Sequence, residues 1–145
     1  MKFTILVIDG QGGNLGCQLI KLMKEQLPDA EIRAVGTNSS ATANMLKAGG
    51  IAGATGENAV IVGCRKADII VGPVGIVIAD ALMGEITPEM AKAIGQSSAK
   101  RVLVPVNRCD TLVAGVANGS MTFLLQDAVD KIKELAVVKG KNFSQ

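Results

Sequence analysis

Residues 5–16 read ILVIDGQGGNLG. Four apolar residues run straight into Asp9, and four glycines (Gly10, Gly12, Gly13, Gly16) then fall within seven positions. An unbroken apolar run is the pattern of a parallel strand covered on both faces, since neither face has room for a polar side chain. The glycines let the chain turn sharply and leave backbone N–H groups bare where a helix begins, an arrangement that suits an anion such as phosphate. Downstream, Leu15, Leu19, Leu22, Met23 and Leu27 share one helical face while Lys21, Lys24 and Glu25 point away,. Pro28 then stops the helix, because proline cannot continue its hydrogen-bond ladder,.

The same alternation continues along the chain. Glu31 to Gly36 starts with polar and apolar residues in turn, which places this second strand nearer a sheet edge than the first,. The turn Gly36-Thr37-Asn38-Ser39-Ser40 leads into a short helix to Ala48, capped by Asn38 or Ser39 and closed by Gly49-Gly50,. Ile51 to Ala54 reads as a short strand. Val60-Ile61-Val62 has strand character, but a parallel sheet needs a crossover here, so Thr55 to Ala67 is assigned as a helix,. Asp68 to Val71 is a strand leading to Gly72-Pro73-Val74-Gly75, followed by a helix expected over Ile76 to Met83. Thr87 caps a further helix, with Pro88 in its first position, running to Gln96,. A strand over Arg101 to Val106, a short strand over Thr111 to Val116 and an amphipathic helix from Met121 to Leu135 complete the expectation. The pattern is that of an α/β three-layer, doubly wound sandwich: a Rossmann-like fold with a mostly parallel sheet of about five strands. No linker, repeat or charge block divides it, so one domain is expected over residues 1–138, with a polar tail at 139–145.

Composition removes several classes of function. The 145 residues contain no histidine, which takes away the commonest general base, the commonest metal ligand and every triad that depends on histidine,. Cys17, Cys64 and Cys109 are odd in number and widely spaced, which indicates reduced thiols and no metal site,. Net charge is +2 with no basic run, and aromatics are 2% of the chain, so neither a phosphate-tracking nor a stacking surface for nucleic acid is present,. No apolar run approaches the roughly 18 residues of a membrane span. A cytoplasmic protein is the expectation.

In a doubly wound sheet, ligands sit at the carboxyl ends of the strands, near the point where strand order reverses. Four loops lie there. The first offers Asp9, Gly10, Gln11, Gly12, Gly13, Asn14 and Gly16 as cofactor-binding residues. Leu15 stands where the strict dinucleotide fingerprint has glycine, leaving the looser spacing Gly10, Gly12, Gly16; Cys17 and Gln18 exclude a Walker loop,. A tight turn required by the fold alone is the plain alternative. The second loop offers Thr37, Asn38 and Ser39 where dinucleotide enzymes hold the adenosine ribose. It carries no acidic residue to take a 2′-hydroxyl, which inclines the reading towards NADP over NAD; a helix cap explains the same residues without a ligand. The third offers Gly72, Pro73 and Gly75 as the far side of a pocket, or only a rigid strand exit. The fourth offers Asn107 and Arg108, the latter as an anion clamp. Beside it, Cys109 is read as packing and not as a thiolate. Glu57 and Asn58 are the remaining candidates for acid–base or orienting work, unless they only start a helix; Arg65 has no assigned role.

The stretch AVGTNSSATANMLKAGGI, at 34–51, locally resembles the phosphate turn of the methylglyoxal synthase-like fold. That family depends on histidine, so the resemblance implies a phosphate site and not the lyase activity. Over nearly the whole chain, IDGQGG, AVGTNS, GATGENA, ADIIVGP, ALMGEITPEMAKAI and LVPVNRC resemble a small bacterial family described only as a domain of unknown function. This resemblance implies a Rossmann-like fold and transfers no activity.

The expectation is therefore a nucleotide-binding protein holding NADP or NAD at the first glycine turn, as a small oxidoreductase or a sensor. The alternatives are a non-catalytic ligand-sensing module and a phosphate- or sugar-phosphate-binding enzyme using the Gly36–Ser40 turn. The partner expected is a small phosphorylated ligand. The segments Gly49 to Val62 and Ile76 to Met83 serve either a homodimer interface or simply the core.

Overall fold

The computed structural model describes residues 3–106, 110–116 and 119–143, with side chains described up to residue 138. Strand β1 (Thr4–Asp9) lies at the centre of a five-stranded sheet, and five of its six residues are buried. It is flanked by β2 (Glu31–Gly36) and β4 (Ile69–Pro73); β3 (Ala52–Thr55) and β5 (Lys100–Val104) form the edges. The order is β3-β2-β1-β4-β5, and every pair is parallel.

Alternate residues of β1 feed two cores, because successive side chains of a strand leave opposite faces. Ile5 and Val7 pack with α1 (Asn14–Gln26), α2 (Ser39–Ala48) and α5 (Met121–Phe143), through Leu19, Met23, Met45, Val129 and Ile132. Leu6 and Ile8 pack with α3 (Glu57–Lys66), a 3-10 turn at Val74–Val77 and α4 (Pro88–Gln96), through Val60, Cys64, Ile76, Met90 and Ile94. Each such aliphatic side chain contributes about 1.5–3 kcal/mol on leaving water. The chain therefore leaves β1 on one face and β4 on the other, which puts the reversal of strand order between these two neighbours.

Local chemistry sets the helix ends. Asn38 caps α2, its side-chain oxygen accepting from Ala41 N at 2.9 Å, and Gly49 ends that helix at φ 127°. Thr87 caps α4, accepting from Met90 N at 3.1 Å ahead of Pro88. The crossover expected near Thr55 to Ala67 is α3.

Two elements differ from expectation. Residues 76–83 do not form a helix: the 3-10 turn ends at Val77, and Asp80, Leu82, Met83 and Gly84 all have positive φ between 57° and 88°. The β-branched run Ile76-Val77-Ile78 lacks the χ1 freedom a helix favours, and left-handed residues cannot extend one. In Thr111 to Val116 no strand forms among the described residues; Gly115 turns at φ 84° and β5 is the last strand. Helix α5 continues to Phe143, past Lys139 where the polar tail was expected to begin.

Within 49–62 and 76–83, Val60, Ile76, Ala81 and Leu82 belong to the core. The four residues of β3 are exposed, as are Ile51 and Met83. Cys17 and Cys64 are free thiols, and Cys109 lies outside the described residues. Among the described residues, no helix is long and apolar enough to cross a membrane.

Gly72 sits in β4 where a Cβ would fall well inside contact distance of the Ile8 carbonyl oxygen. Gly72→Ala must push β4 away from β1 or bend it, at a cost of about 2–3 kcal/mol. Thermal unfolding should record a melting temperature lower by several degrees. A melting temperature within a degree of wild type would show that the central strands separate freely.

Candidate functional site

β1 delivers Asp9 to the sheet's carboxyl edge with only 4% of its surface exposed. Its Oδ1 accepts from Gly10 N and its Oδ2 from Gly16 N, both at 2.8 Å. Burial pushes this carboxyl above its ordinary range; the two amides pull it down, and the charge of Glu85 raises it further. Asp9 thus closes the turn from within, with both oxygens committed to the turn's own amides.

Packing explains three of the four glycines. A Cβ on Gly10 would lie 2.7 Å from Thr37 Oγ1, and one on Gly16 would press on Met45 and on Asp9 Cβ. Gly13 combines φ 72° with the Ala41 backbone 3.0 Å from where its Cβ would stand. Gly12 is different. No described residue lies within 4 Å of its Cβ position, and its φ is outside the left-handed region. The described residues place no demand for glycine there.

The polar groups of the turn are largely spoken for. Gly13 N donates to Gly10 O and Cys17 N to Gly13 O, each at 2.9 Å. Asn44 Nδ2, from α2, donates to Gly12 O at 2.9 Å, and Asn38 Nδ2 donates to Gln11 O at 2.8 Å. Gln11 N, at a residue with φ 52°, donates to Glu85. Three amides remain without a partner among the described residues: Gly12, Asn14 and Leu15. Asn14 and Leu15 open α1, where the first N–H groups have no helical acceptor and the helix dipole favours negative charge. All three residues line a cleft of about 290 Å³, together with Gln18, Val106 and Met121. Asn107 and Arg108, expected at this edge, lie outside the described residues.

The second loop takes a role the sequence did not disclose. Glu85 Oε1 accepts from Thr37 Oγ1 at 2.7 Å, from Asn38 Nδ2 at 2.7 Å and from Gln11 N at 3.0 Å; Oε2 accepts from Gln11 N at 3.2 Å. Burial pushes the Glu85 carboxyl up, but the donations from Thr37, Asn38 and Gln11 outweigh it and hold it below the ordinary glutamate range. Ser39 is exposed at the start of α2.

Gly72, Pro73 and Gly75 are buried, and they are not among the cleft's walls. Glu57 accepts from Thr87 Oγ1, tying α3 to the start of α4. Thr55 Oγ1 lies 2.8 Å from Thr42 Oγ1, and Asn58 and Arg65 are exposed on α3. Glu85 and Asn44 were missed by sequence reasoning. No local signal marks Asn44. The one trace of Glu85 is a lone acid after Leu82-Met83-Gly84, between two segments that read as helix.

The family profile described as a domain of unknown function, DUF3842, matches residues 4–137. The chain belongs to this family. No curated protein matches the sequence. Among solved structures, the fold is similar to the crystal structure of a dodecameric FMN-dependent UbiX-like decarboxylase from Escherichia coli O157:H7. Identity is 19%, over 94% of this chain and 76% of that one, with a TM-score of 0.46; so distant a likeness carries no argument about ligand or reaction. The DUF3842 chain has the α/β, all-parallel architecture expected of a Rossmann-like protein. No likeness to methylglyoxal synthase is shown.

The lowered Glu85 carboxyl makes its contribution to stability pH-dependent. A group depressed in the fold stabilises above its unfolded range and loses that contribution as pH falls through its folded value. Replacing it by Glu85→Gln should cost about 1 kcal/mol near neutral pH. The gap in melting temperature between the two proteins should close as pH drops below the ordinary glutamate range. A gap that is constant with pH would show that the carboxylate charge is irrelevant to the latch.

Proposed function

We propose that this DUF3842 protein binds a nucleotide, with a phosphate held by the amides of Gly12, Asn14 and Leu15 at the amino end of α1. Gly12 carries the reading: it is the one glycine of the turn that packing and backbone conformation leave unexplained among the described residues, and it sits among amides to which none of those residues offers an acceptor. A bare Cα there lets a phosphate oxygen approach the backbone, and the helix dipole supports the charge. Gln18, Val106 and Met121 supply the mixed polar and apolar wall of the cleft. A nicotinamide dinucleotide fits a site at the reversal of strand order; the cofactor would then supply hydride chemistry, and the protein position and electrostatics.

The reading that places phosphate on the Gly36–Ser40 turn is weaker. Two of its four side-chain donors, Thr37 Oγ1 and Asn38 Nδ2, already serve Glu85, and a phosphate held by them would meet that carboxylate.

A thermal-shift panel of NAD, NADP, ATP, FMN, coenzyme A and sugar phosphates tests the proposal. A ligand at 100 times its dissociation constant should add about 2.7 kcal/mol, a rise of several degrees. Gly12→Val should abolish that rise while leaving the unliganded melting point near wild type, because its side chain enters open space. If no nucleotide moves the melting point at millimolar concentration, the proposal fails.

A further inference from the structure

We propose that Glu85 selects the ribose of the bound nucleotide, accepting a hydrogen bond from a 2′-hydroxyl through Oε2 and repelling a 2′-phosphate, so that the site takes NAD and refuses NADP. This inference rests on the nucleotide reading above and reverses the preference that the second loop's sequence suggests.

The carboxylate stands between the tips of two strands. Gln11 is two residues beyond the end of β1, and Thr37 one beyond the end of β2. Rossmann-type sites place an acidic residue close to this point, usually on the second strand's own end, where it takes the ribose hydroxyls. Here β2 ends in Gly36 and is followed by Thr37 and Asn38, and the acid arrives from 48 residues further along the chain. Thr37, Asn38 and Gln11 N fix its orientation by donating to Oε1. Oε2 receives only the longer arm of the Gln11 N–H among the described residues, and a carboxylate oxygen has capacity for more.

Reach is suitable. Gln11, which holds the carboxylate, is adjacent to Gly12 and three residues from Asn14, whose amides are the proposed phosphate donors. Three residues of chain span at most about 10 Å, so ribose acceptor and phosphate donors lie within one nucleotide of each other. Charge points the same way. No lysine or arginine among the described residues pairs with Glu85, and two of the second loop's side-chain donors, Thr37 and Asn38, already serve the carboxylate.

The segment carrying Glu85 is strained. Asp80, Leu82 and Met83 have φ of 67°, 57° and 57°, and non-glycine residues adopt such angles at a cost. A purely structural latch would account for the hydrogen bonds, but it has no bearing on which ribose is accepted. That difference is the basis of the test.

Isothermal titration of the full chain with NAD and with NADP, and with AMP against 2′-deoxy-AMP, gives the discrimination directly. Wild type should bind NAD at least tenfold tighter than NADP, and AMP several-fold tighter than 2′-deoxy-AMP. Glu85→Gln should bring NAD and NADP to within about threefold, mostly by tightening NADP. Should that variant not fold, the two wild-type ratios decide alone. Equal or tighter binding of NADP by wild type, or an unchanged ratio in folded Glu85→Gln, overturns the role of Glu85 and leaves nucleotide binding standing. Failure of all four ligands to bind wild type removes the nucleotide reading and this inference together.

Discussion

The buried carboxylate of Asp9 is the contact on which the glycine turn depends. Helix α1 begins after Gly13, which has no side chain to cap it. Asp9 supplies the cap from the end of the preceding strand, accepting from Gly16 N in the helix's first turn and from Gly10 N in the loop. Without it, two amides in a tightly packed region would lack an acceptor, and each buried orphan costs about 1–3 kcal/mol. Desolvation of the carboxylate opposes this gain and raises its pKa, while the helix dipole favours a negative charge at that end,. The result is a turn whose inward amides are satisfied and whose Gly12, Asn14 and Leu15 amides have no partner among the described residues.

A second carboxylate fixes the turn from the other side. Glu85 joins Gln11 of the first loop to Thr37 and Asn38 of the second, and Asn38 also caps α2. One asparagine therefore couples a helix start, the carbonyl of Gln11 and the Glu85 carboxylate. The positive-φ residues between Asp80 and Gly84 deliver Glu85 to this position, which a helix over Ile76 to Met83 would not do. That backbone is held by its own hydrogen bonds, among them Asp80 N to Ile86 O and Ile86 N to Ala81 O, and by the buried side chains of Ala81, Leu82 and Ile86.

Much of the fold is legible in the sequence because its causes are local. The apolar run into Asp9, the cap at Asn38, the Thr87-Pro88 start and the crossover need for α3 each lie within a few residues. The first loop is legible for the same reason. Glu85 was not, because the information that places it is distributed: the donors that fix it come from loops 48 and 74 positions away in sequence. Apolar composition around Ile76 to Met83 suggests a helix, and only tertiary packing imposes the left-handed residues that exclude one. The second loop alone supports no preference for NADP over NAD for a related reason. The absence of an acid from one stretch of sequence says nothing about an acid delivered by another.

Strand order gives the turn two unlike sides. Towards β2 it meets Glu85, Thr37 and Asn38, a set of hydrogen bonds around a negative charge. Towards the end of β5 and the start of α5 it borders the cleft, with Val106 and Met121 in the wall and the spare amides of Gly12, Asn14 and Leu15 in reach. The two sides meet at Gln11 and Gly12, where one amide serves the carboxylate and the next has no partner among the described residues. A phosphate on the cleft side is separated from Glu85 by this backbone, so the anion and the carboxylate need not share a space. A neutral hydroxylated group suits the Glu85 side, and a charged group suits the other. A molecule that joins a ribose to a phosphate has both, and on the proposed nucleotide reading it would pass over Gly12.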